Sequence, residues 1–209
     1  MKNLFIGGSS ELALSVAKKL KNVDNISRSK NRIYKKNKII SNYSNNELKK
    51  NIKSLEENYS NILIFNGLYQ RSLLTNFNTN KFNQAFKINF MTPMNIIKII
   101  LENLNLKKNS RIFLISSLAI DAPEIGNAYY SISKKALNFA VKIWNQEYKK
   151  RNPNIINIKV GIIKNKMGLN VNRLAKTKKN SKILSQDYVA NKIFKILNNY
   201  KIKNDIIIK

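Results

Sequence analysis

The chain has 209 residues, 43% of them hydrophobic, and its 39 Lys and Arg against 11 Asp and Glu give a formal net charge of +28. This hydrophobic content excludes a disordered chain, and no apolar run approaches the roughly 18 residues of a membrane span. The sequence contains no cysteine and no histidine, which excludes disulfides, thiol chemistry and histidine-based triads, and we predict no metal site.

Short apolar runs alternate with stretches that carry apolar residues at helical spacing. The former predict strands and the latter predict helices. In chain order we expect a strand at 4–6, a helix at 12–20, strands at 23–27 and 38–41, a helix at 47–59, a strand at 62–65, a helix at 81–104 kinked by Pro93, a strand at 111–116, a helix at 129–148, a strand at 155–160, a helix at 187–199 and a strand at 205–208. This order predicts an α/β fold, a doubly wound parallel sheet of about seven strands with helices on both faces. There is little room between residues 28 and 38 for a helix.

Small and polar residues follow four of the predicted strands, at Gly7-Gly8-Ser9-Ser10, Asn66-Gly67, Ser116-Ser117 and Gly161. Parallel sheets bind their ligands at the carboxyl ends of the strands, and all of these turns fall at that edge. We therefore expect the functional site there.

Tyr130 and Lys134 lie four residues apart in a predicted helix, thirteen and seventeen residues after Ser117. That spacing puts the phenol and the ammonium on one helix face. In a shared pocket the cation would lower the tyrosine pKa from its ordinary value of about 10. A nearby serine hydroxyl could polarise a carbonyl, so the three residues suit proton transfer.

The sequence resembles the short-chain dehydrogenase/reductase family over nearly its whole length. Five landmarks carry the resemblance, and they occur in the family's order: the turn Gly7–Ala13, Asn66-Gly67, Asn89, Ser117, and the Tyr130/Lys134 pair. The interval of thirteen residues to Tyr130 selects Ser117 over Ser116, and the lysine four residues on selects Tyr130 over Tyr129. The resemblance implies one NAD(P)-binding Rossmann-like domain over residues 1–209.

By this resemblance, the catalytic residues are Ser117, Tyr130, Lys134 and Asn89. Tyr130 would act as the general acid in reduction and as the base in oxidation. Lys134 would lower its pKa and bind the nicotinamide ribose, while Ser117 stabilises the reacting oxygen. Asn89 would anchor a water between Lys134 and solvent; its structural alternative is a helix-interior side chain bonded to the backbone.

The resemblance also implies a set of cofactor contacts. These are Gly7, Ser9, Ser10, Leu12, Arg28, Asn66, Gly67, Tyr130, Lys134, Gly161 and Ile163. Arg28, just after the second strand, favours the 2′-phosphate of NADP, so NADP is expected rather than NAD. The chain departs from the family pattern at Glu11, Ala13, Asn42, Val160 and Asn165, which leaves open whether cofactor binding is weakened.

The expected activity is therefore an NAD(P)(H)-dependent oxidoreductase that interconverts a carbonyl and an alcohol on a small molecule in the cytoplasm. Segment 164–186 would form a mobile substrate lid, and Arg173, Lys176, Lys178 and Lys179 suggest an anionic substrate.

The apolar faces of helices 81–104 and 129–148 match the family's dimer surface and predict a homodimer or homotetramer, or else belong to the core. One alternative is a cofactor-binding protein without turnover. A nucleic-acid-binding protein is a weaker alternative, because lysine is spread along the chain rather than clustered.

Overall fold

A seven-stranded parallel sheet forms the centre of the computed structural model, which describes residues 1–55, 58–107, 109–121, 124–147, 153–168, 183–199, 201 and 203–209. The strands are β1 (Asn3–Ile6), β2 (Val23–Ser27), β3 (Lys36–Ile39), β4 (Asn61–Ile64), β5 (Arg111–Ser117), β6 (Asn154–Val160) and β7 (Asp205–Ile208). Their order across the sheet is β3-β2-β1-β4-β5-β6-β7, and every pairing is parallel. The predicted fold class is confirmed.

Helices cover both faces of this sheet. They are α1 (Glu11–Ala17), α2 (Asn45–Lys53), α3 (Thr79–Phe86), a π-helical turn (Lys87–Met91), α4 (Thr92–Asn103), α5 (Ala128–Glu147) and α6 (Gln186–Leu197). Side chains alternate across each strand, so Leu4 and Ile6 pack under α2, α4 and α5, while Phe5 packs under α1 and α6. None of the described helices is long and apolar enough to cross a membrane.

Two predicted elements have different boundaries in the structure. The helix expected at 47–59 ends at Lys53, yet Leu55 and Tyr59 are still buried in the core. The third strand lies two residues earlier than expected, because this edge strand takes its register from hydrogen bonds to β2 rather than from a buried apolar run.

The helix expected at 81–104 is three segments, α3, the π turn and α4. Pro93 stands in the first turn of α4, where its missing N–H costs little. The break in regular helix therefore falls before the proline, in the π turn that carries Asn89.

Residues 28–35 contain no helix, as the short spacing predicts. Tyr34 covers part of the sheet where such a helix would lie, because its ring packs against Phe5 with centroids 6.0 Å apart. Its hydroxyl donates to the Gly8 carbonyl at 2.5 Å. The loop after β2 is thus attached to the first turn of the fold.

Candidate active site

The turn between β1 and α1 is fixed by its backbone conformation and by two neighbouring side chains. Gly7 has φ +80°, a left-handed conformation that favours glycine. The Gly8 N–H donates to Asn25 Oδ1 at 3.2 Å, and the Gly8 carbonyl accepts from Tyr34. Ser10 ends the turn as the N-cap of α1, accepting from the Ala13 amide.

The two departures from the glycine pattern have separate consequences. Ala13 is fully buried in the core, so its methyl group fills space beside the sheet. Glu11 points its carboxylate to the Lys166 amide, 3.2 Å away, and so bridges the turn to the segment after β6. A negative charge therefore stands beside the turn that the family uses for phosphates.

A single cleft of about 960 Å³ connects this turn with the predicted catalytic residues. The predicted site residues that line it are Ser9, Ser10, Leu12, Asn66, Gly67, Ser117, Tyr130, Lys134, Gly161 and Ile163. Gly7, Arg28 and Asn89 lie outside this lining. The sheet topology causes the grouping, because β1, β4, β5 and β6 are neighbours and their carboxyl ends open into one space.

Lys134 is buried on α5 at 2% exposure. Its Nζ donates to the carbonyl oxygens of Asn66 at 3.1 Å and Ile115 at 3.0 Å, and so joins the ends of β4 and β5. Burial lowers its pKa to about 8. A Cβ added to Gly67 would lie 3.6 Å from Nζ, so the glycine keeps the approach to this ammonium open.

The pKa of the Tyr130 phenol is shifted in the direction opposite to the one expected. Its pKa is raised by burial, and the nearby Tyr69 adds to this effect. The neighbouring Ser117 hydroxyl opposes it. The net direction is therefore opposite to the one expected from the Lys134 cation, because desolvation of the phenol outweighs the stabilisation of the phenolate.

Asn89 is fully buried in the π turn. Its amide accepts from the Leu68 N–H at 2.7 Å and donates to the Leu68 carbonyl at 2.8 Å and to Ser133 Oγ at 3.0 Å. It therefore holds the chain just after Gly67 against α5. The anchored water remains a prediction.

Arg28 is exposed, immediately after β2. It lies near Tyr43, where burial raises the pKa of the phenol and the positive charge of Arg28 opposes the shift. Asn42, the neighbour of Tyr43, is engaged locally: its Oδ1 accepts from the Ser44 amide, and its own N–H donates to Glu47. The structure thus places the predicted 2′-phosphate residue beside an aromatic ring and apart from the cleft residues.

The described residues at the two ends of the segment predicted as a lid lie next to each other. Ile163 and Leu184 form a parallel bridge, in which the Lys164 amide donates to the Leu184 carbonyl at 2.9 Å. Gly161 lies beside them and donates to the Ile208 carbonyl, while Asn165 Oδ1 accepts from the Gly168 amide. Residues 169–182, including the four basic residues from which an anionic substrate was predicted, lie outside the described part of the chain.

The cleft residues that were not predicted as site residues include three polar ones close to Tyr130 in space or in sequence: Tyr69, Glu124 and Asn127. The Tyr69 ring stands edge-on to Tyr130, with centroids 5.3 Å apart. They come from two loops without a local sequence pattern, so no signal in the sequence marks them. Only the fold brings Tyr69 to Tyr130.

A family model described as short chain dehydrogenase matches residues 4–175. Among curated proteins, none matches the chain. Solved structures do match: a short chain dehydrogenase family protein from Francisella tularensis has a TM-score of 0.82 at 15% identity, covering 99% of this chain and 95% of its own. A short chain dehydrogenase from Burkholderia cenocepacia, solved in complex with NADP, has a TM-score of 0.82 at 13% identity, covering 100% and 90%. Such low identities show a shared fold.

Proposed function

The chain belongs to the short-chain dehydrogenase family, and we propose that it uses NADP(H) to interconvert a carbonyl and an alcohol on a small molecule, with Tyr130 as the acid–base group. One observation carries the proposal. Ser117, Tyr130 and Lys134 line the same cleft as the turn at Ser9 and Ser10. A proton-transfer group and a phosphate-binding turn in one space are what a nicotinamide-dependent reaction needs.

The residues of the cleft fit a dinucleotide. The amides of Ser9, Glu11 and Leu12 donate to no protein acceptor among the described residues, and they offer N–H groups to phosphates. Gly67 leaves space beside the Lys134 ammonium for a ribose. Gly161 and Ile163, at the end of β6, would hold the carboxamide. When bound, the nicotinamide supplies or accepts the hydride.

The protein's own residues would handle the proton and the charge. The Ser117 hydroxyl lies close enough to the Tyr130 phenol to lower its pKa, and both residues line the cleft, so both could reach one substrate oxygen. In reduction, Tyr130 gives its proton to that oxygen as the hydride arrives at carbon, and Ser117 stabilises the negative charge that develops there. Lys134, held by two carbonyl oxygens, places a positive charge near the phenolate that remains.

Arg28 supports NADP as the cofactor. A guanidinium at the end of β2 can bind a 2′-phosphate in bidentate fashion, and no acidic side chain ends this strand to hold a free ribose diol. The related structure from Burkholderia cenocepacia was solved with NADP.

On the family resemblance alone, we propose segment 164–186 as a substrate lid; Ile163 and Leu184, at its described ends, are bridged beside the cleft. A homodimer or homotetramer would use the outer face of α5, where Ile132 and Phe139 are 50% and 64% exposed. Sedimentation velocity measures the oligomeric state.

The first experiment is titration of the protein with NADPH and NADH by nicotinamide fluorescence. Tyr130→Phe should keep NADPH affinity and lose turnover by about a hundredfold or more. Tyr129→Phe is the matched control: it removes the adjacent hydroxyl, which accepts from the Asn78 amide, and should retain turnover. Binding without turnover in the wild type would favour a regulatory protein. Absence of binding, or full activity in Tyr130→Phe, would refute the proposal.

A further inference from the structure

Two buried polar atoms next to Tyr130 have no hydrogen-bond partner among the described residues. They are Tyr69 Oη and Asn127 Oδ1, and both residues line the cleft. Asn127 is 2% exposed. Buried polar groups are normally paired, so two unpaired atoms at the wall of a cleft mark a place where a ligand would complete the hydrogen bonding.

Two hydrogen bonds attach residues 125 and 126, just before Asn127, to the chain at residues 71 and 72. Gly126 has φ +78°, and its carbonyl accepts from the Ser72 amide at 2.9 Å. The Arg71 guanidinium donates to the Ile125 carbonyl at 2.9 Å. The loop is thereby attached to the chain that follows Tyr69, so the position of both walls is set by the fold.

The orientation of the Asn127 amide is set as well. Its Nδ2 donates to Glu124 Oε2 at 3.4 Å, which leaves the carbonyl oxygen free. Glu124 also lines the cleft. Burial raises the pKa of Tyr69, the charge of Arg71 opposes this shift, and the charge of Glu124 adds to it with a smaller effect than that of Arg71. The group therefore presents two acceptors, a carboxylate and an amide oxygen, together with a phenol that can accept or donate.

Four basic residues stand near this wall, and three of them, Lys134, Lys166 and Lys209, line the cleft. Arg71 donates to the Ile125 carbonyl and is not part of the lining, so the carboxylate of Glu124 is the charged group of the wall that is nearer to a ligand in the cleft. Lys134 is bonded to two carbonyl oxygens. Lys166, which also lines the cleft, has its backbone beside Glu11 at the first turn.

We propose that Tyr69, Glu124 and Asn127 recognise the substrate, and that they select alcohols and carbonyl compounds carrying a second hydroxyl or an ammonium group over anionic ones. This inference rests on the proposed function, because it assumes that the reacting carbon lies at Tyr130. It is opposite to the anionic substrate expected from residues 173–179.

Three alcohols with one skeleton test the selection: trans-4-aminocyclohexanol, trans-cyclohexane-1,4-diol and trans-4-hydroxycyclohexane-1-carboxylate. Their dissociation constants are measured by ligand-observed NMR on the protein saturated with NADP, at about 0.15 M salt, which screens the distant charges behind the net charge of +28 more than a direct contact with Glu124. The expected order is amine tightest, then diol, then carboxylate, with amine and carboxylate at least about tenfold apart.

In Glu124→Gln the dissociation constants of the amine and of the carboxylate should differ by no more than about threefold, because the Glu124 carboxylate sets the preference for a positive charge. Asn127→Leu should weaken the diol about tenfold by removing the free acceptor. Glu102→Gln is the matched control: it removes the same charge from α4, where the residue pairs with Lys98, and should keep the order.

Equal affinities, a preference for the carboxylate, an unchanged order in Glu124→Gln, or no binding of any of the three alcohols would overturn this inference. The NADPH titration separates this failure from failure of the proposed function. If NADPH binds and Tyr130→Phe is inactive while the expected order is absent, the oxidoreductase proposal stands and only the substrate class falls.

Discussion

The buried ammonium of Lys134 should make the stability of this protein depend on pH in a way that one substitution removes. In the unfolded chain a lysine has an ordinary pKa of 10.5, and in the folded protein burial lowers the Lys134 value to about 8. Below pH 8 both states are protonated, and the folded state carries the full cost of a buried charge. Between about pH 8 and about pH 10.5 the folded state loses the proton first, so stability rises with pH.

The magnitude follows from the linkage relation. Each pKa unit corresponds to about 1.36 kcal/mol. From about pH 7 to about pH 9.5 the free energy of unfolding should rise by about 2 kcal/mol through this group alone. Lys134→Met fills similar volume without a titrating group. The difference between wild type and variant should therefore shift by that amount in favour of the wild type.

Urea unfolding of the two proteins at several pH values measures this difference. Lys142→Met is the control, because it removes a lysine from the exposed side of the same helix. Its profile should run parallel to that of the wild type. Parallel profiles for Lys134→Met, or a shift of the opposite sign, would refute the reasoning that desolvation dominates the Lys134 site.

Four further substitutions are made at residues in or near the cofactor end of the cleft, two to test cofactor affinity and two to test stability. Glu11→Gly removes a carboxylate beside the phosphate turn and should tighten NADPH binding about fivefold at low salt, with the gain shrinking as salt is added; unchanged affinity would show that the carboxylate does not reach the phosphates. Arg28→Ala should weaken NADPH about tenfold and leave NADH unaffected in the fluorescence titration, whereas equal losses for both would exclude a 2′-phosphate contact. Gly8→Ala would place a Cβ 2.2 Å from Asn25 Oδ1 and should lower the free energy of unfolding by about 1–3 kcal/mol. Gly67→Ala, with no atom closer than 3.6 Å to the added carbon, should unfold at nearly the wild-type urea concentration, and equal effects of the two would contradict the steric argument.

The sequence predicts the sheet well because its central strands are buried on both faces. A continuous apolar run such as Ile62-Leu63-Ile64 has one stable environment, the middle of a parallel sheet. The edge strand β3 lacks such a run: Lys36 and Ile39 are exposed. Its position depends on pairing with β2, which no local pattern encodes.

Helical spacing misplaced the end of α2 for a related reason. Leu48, Ile52, Leu55 and Tyr59 are all buried, so their spacing continues past Lys53, where the helix ends. Periodicity reports which side chains face the core. It does not report whether the backbone between them is still helical.

For the candidate site too, the sequence predicts the features that follow from local spacing and misses those that depend on distant residues. Tyr130 and Lys134 share a helix face that spacing reveals, and the turns at the strand ends meet because the sheet is parallel. The electrostatics of that face depend on neighbours distant in the chain. The Ile115 and Asn66 carbonyls hold Lys134, and Tyr69 packs on Tyr130.

The raised pKa of Tyr130 leads to a last prediction, on the protonation state of the cofactor-free site. Burial holds the phenol above its ordinary value of 10.0, so at neutral pH it is protonated and ready to act as an acid. Oxidation needs the phenolate. If the proposed function holds, the protonated phenol and the proposed cofactor NADPH are the forms that carbonyl reduction would use.

Ultraviolet titration at the tyrosinate band, compared between wild type and Tyr130→Phe, measures this state. Burial also raises the pKa of Tyr34, Tyr59 and Tyr69, so these phenols should not ionise at lower pH and obscure the difference. We expect no tyrosine ionisation that is lost in the variant below about pH 10. Since the unfolded chain ionises first, Tyr130 should also lower the stability of the wild type relative to the variant above that pH. An ionisation below about pH 8 that disappears in Tyr130→Phe would instead show that Lys134 outweighs desolvation even without cofactor.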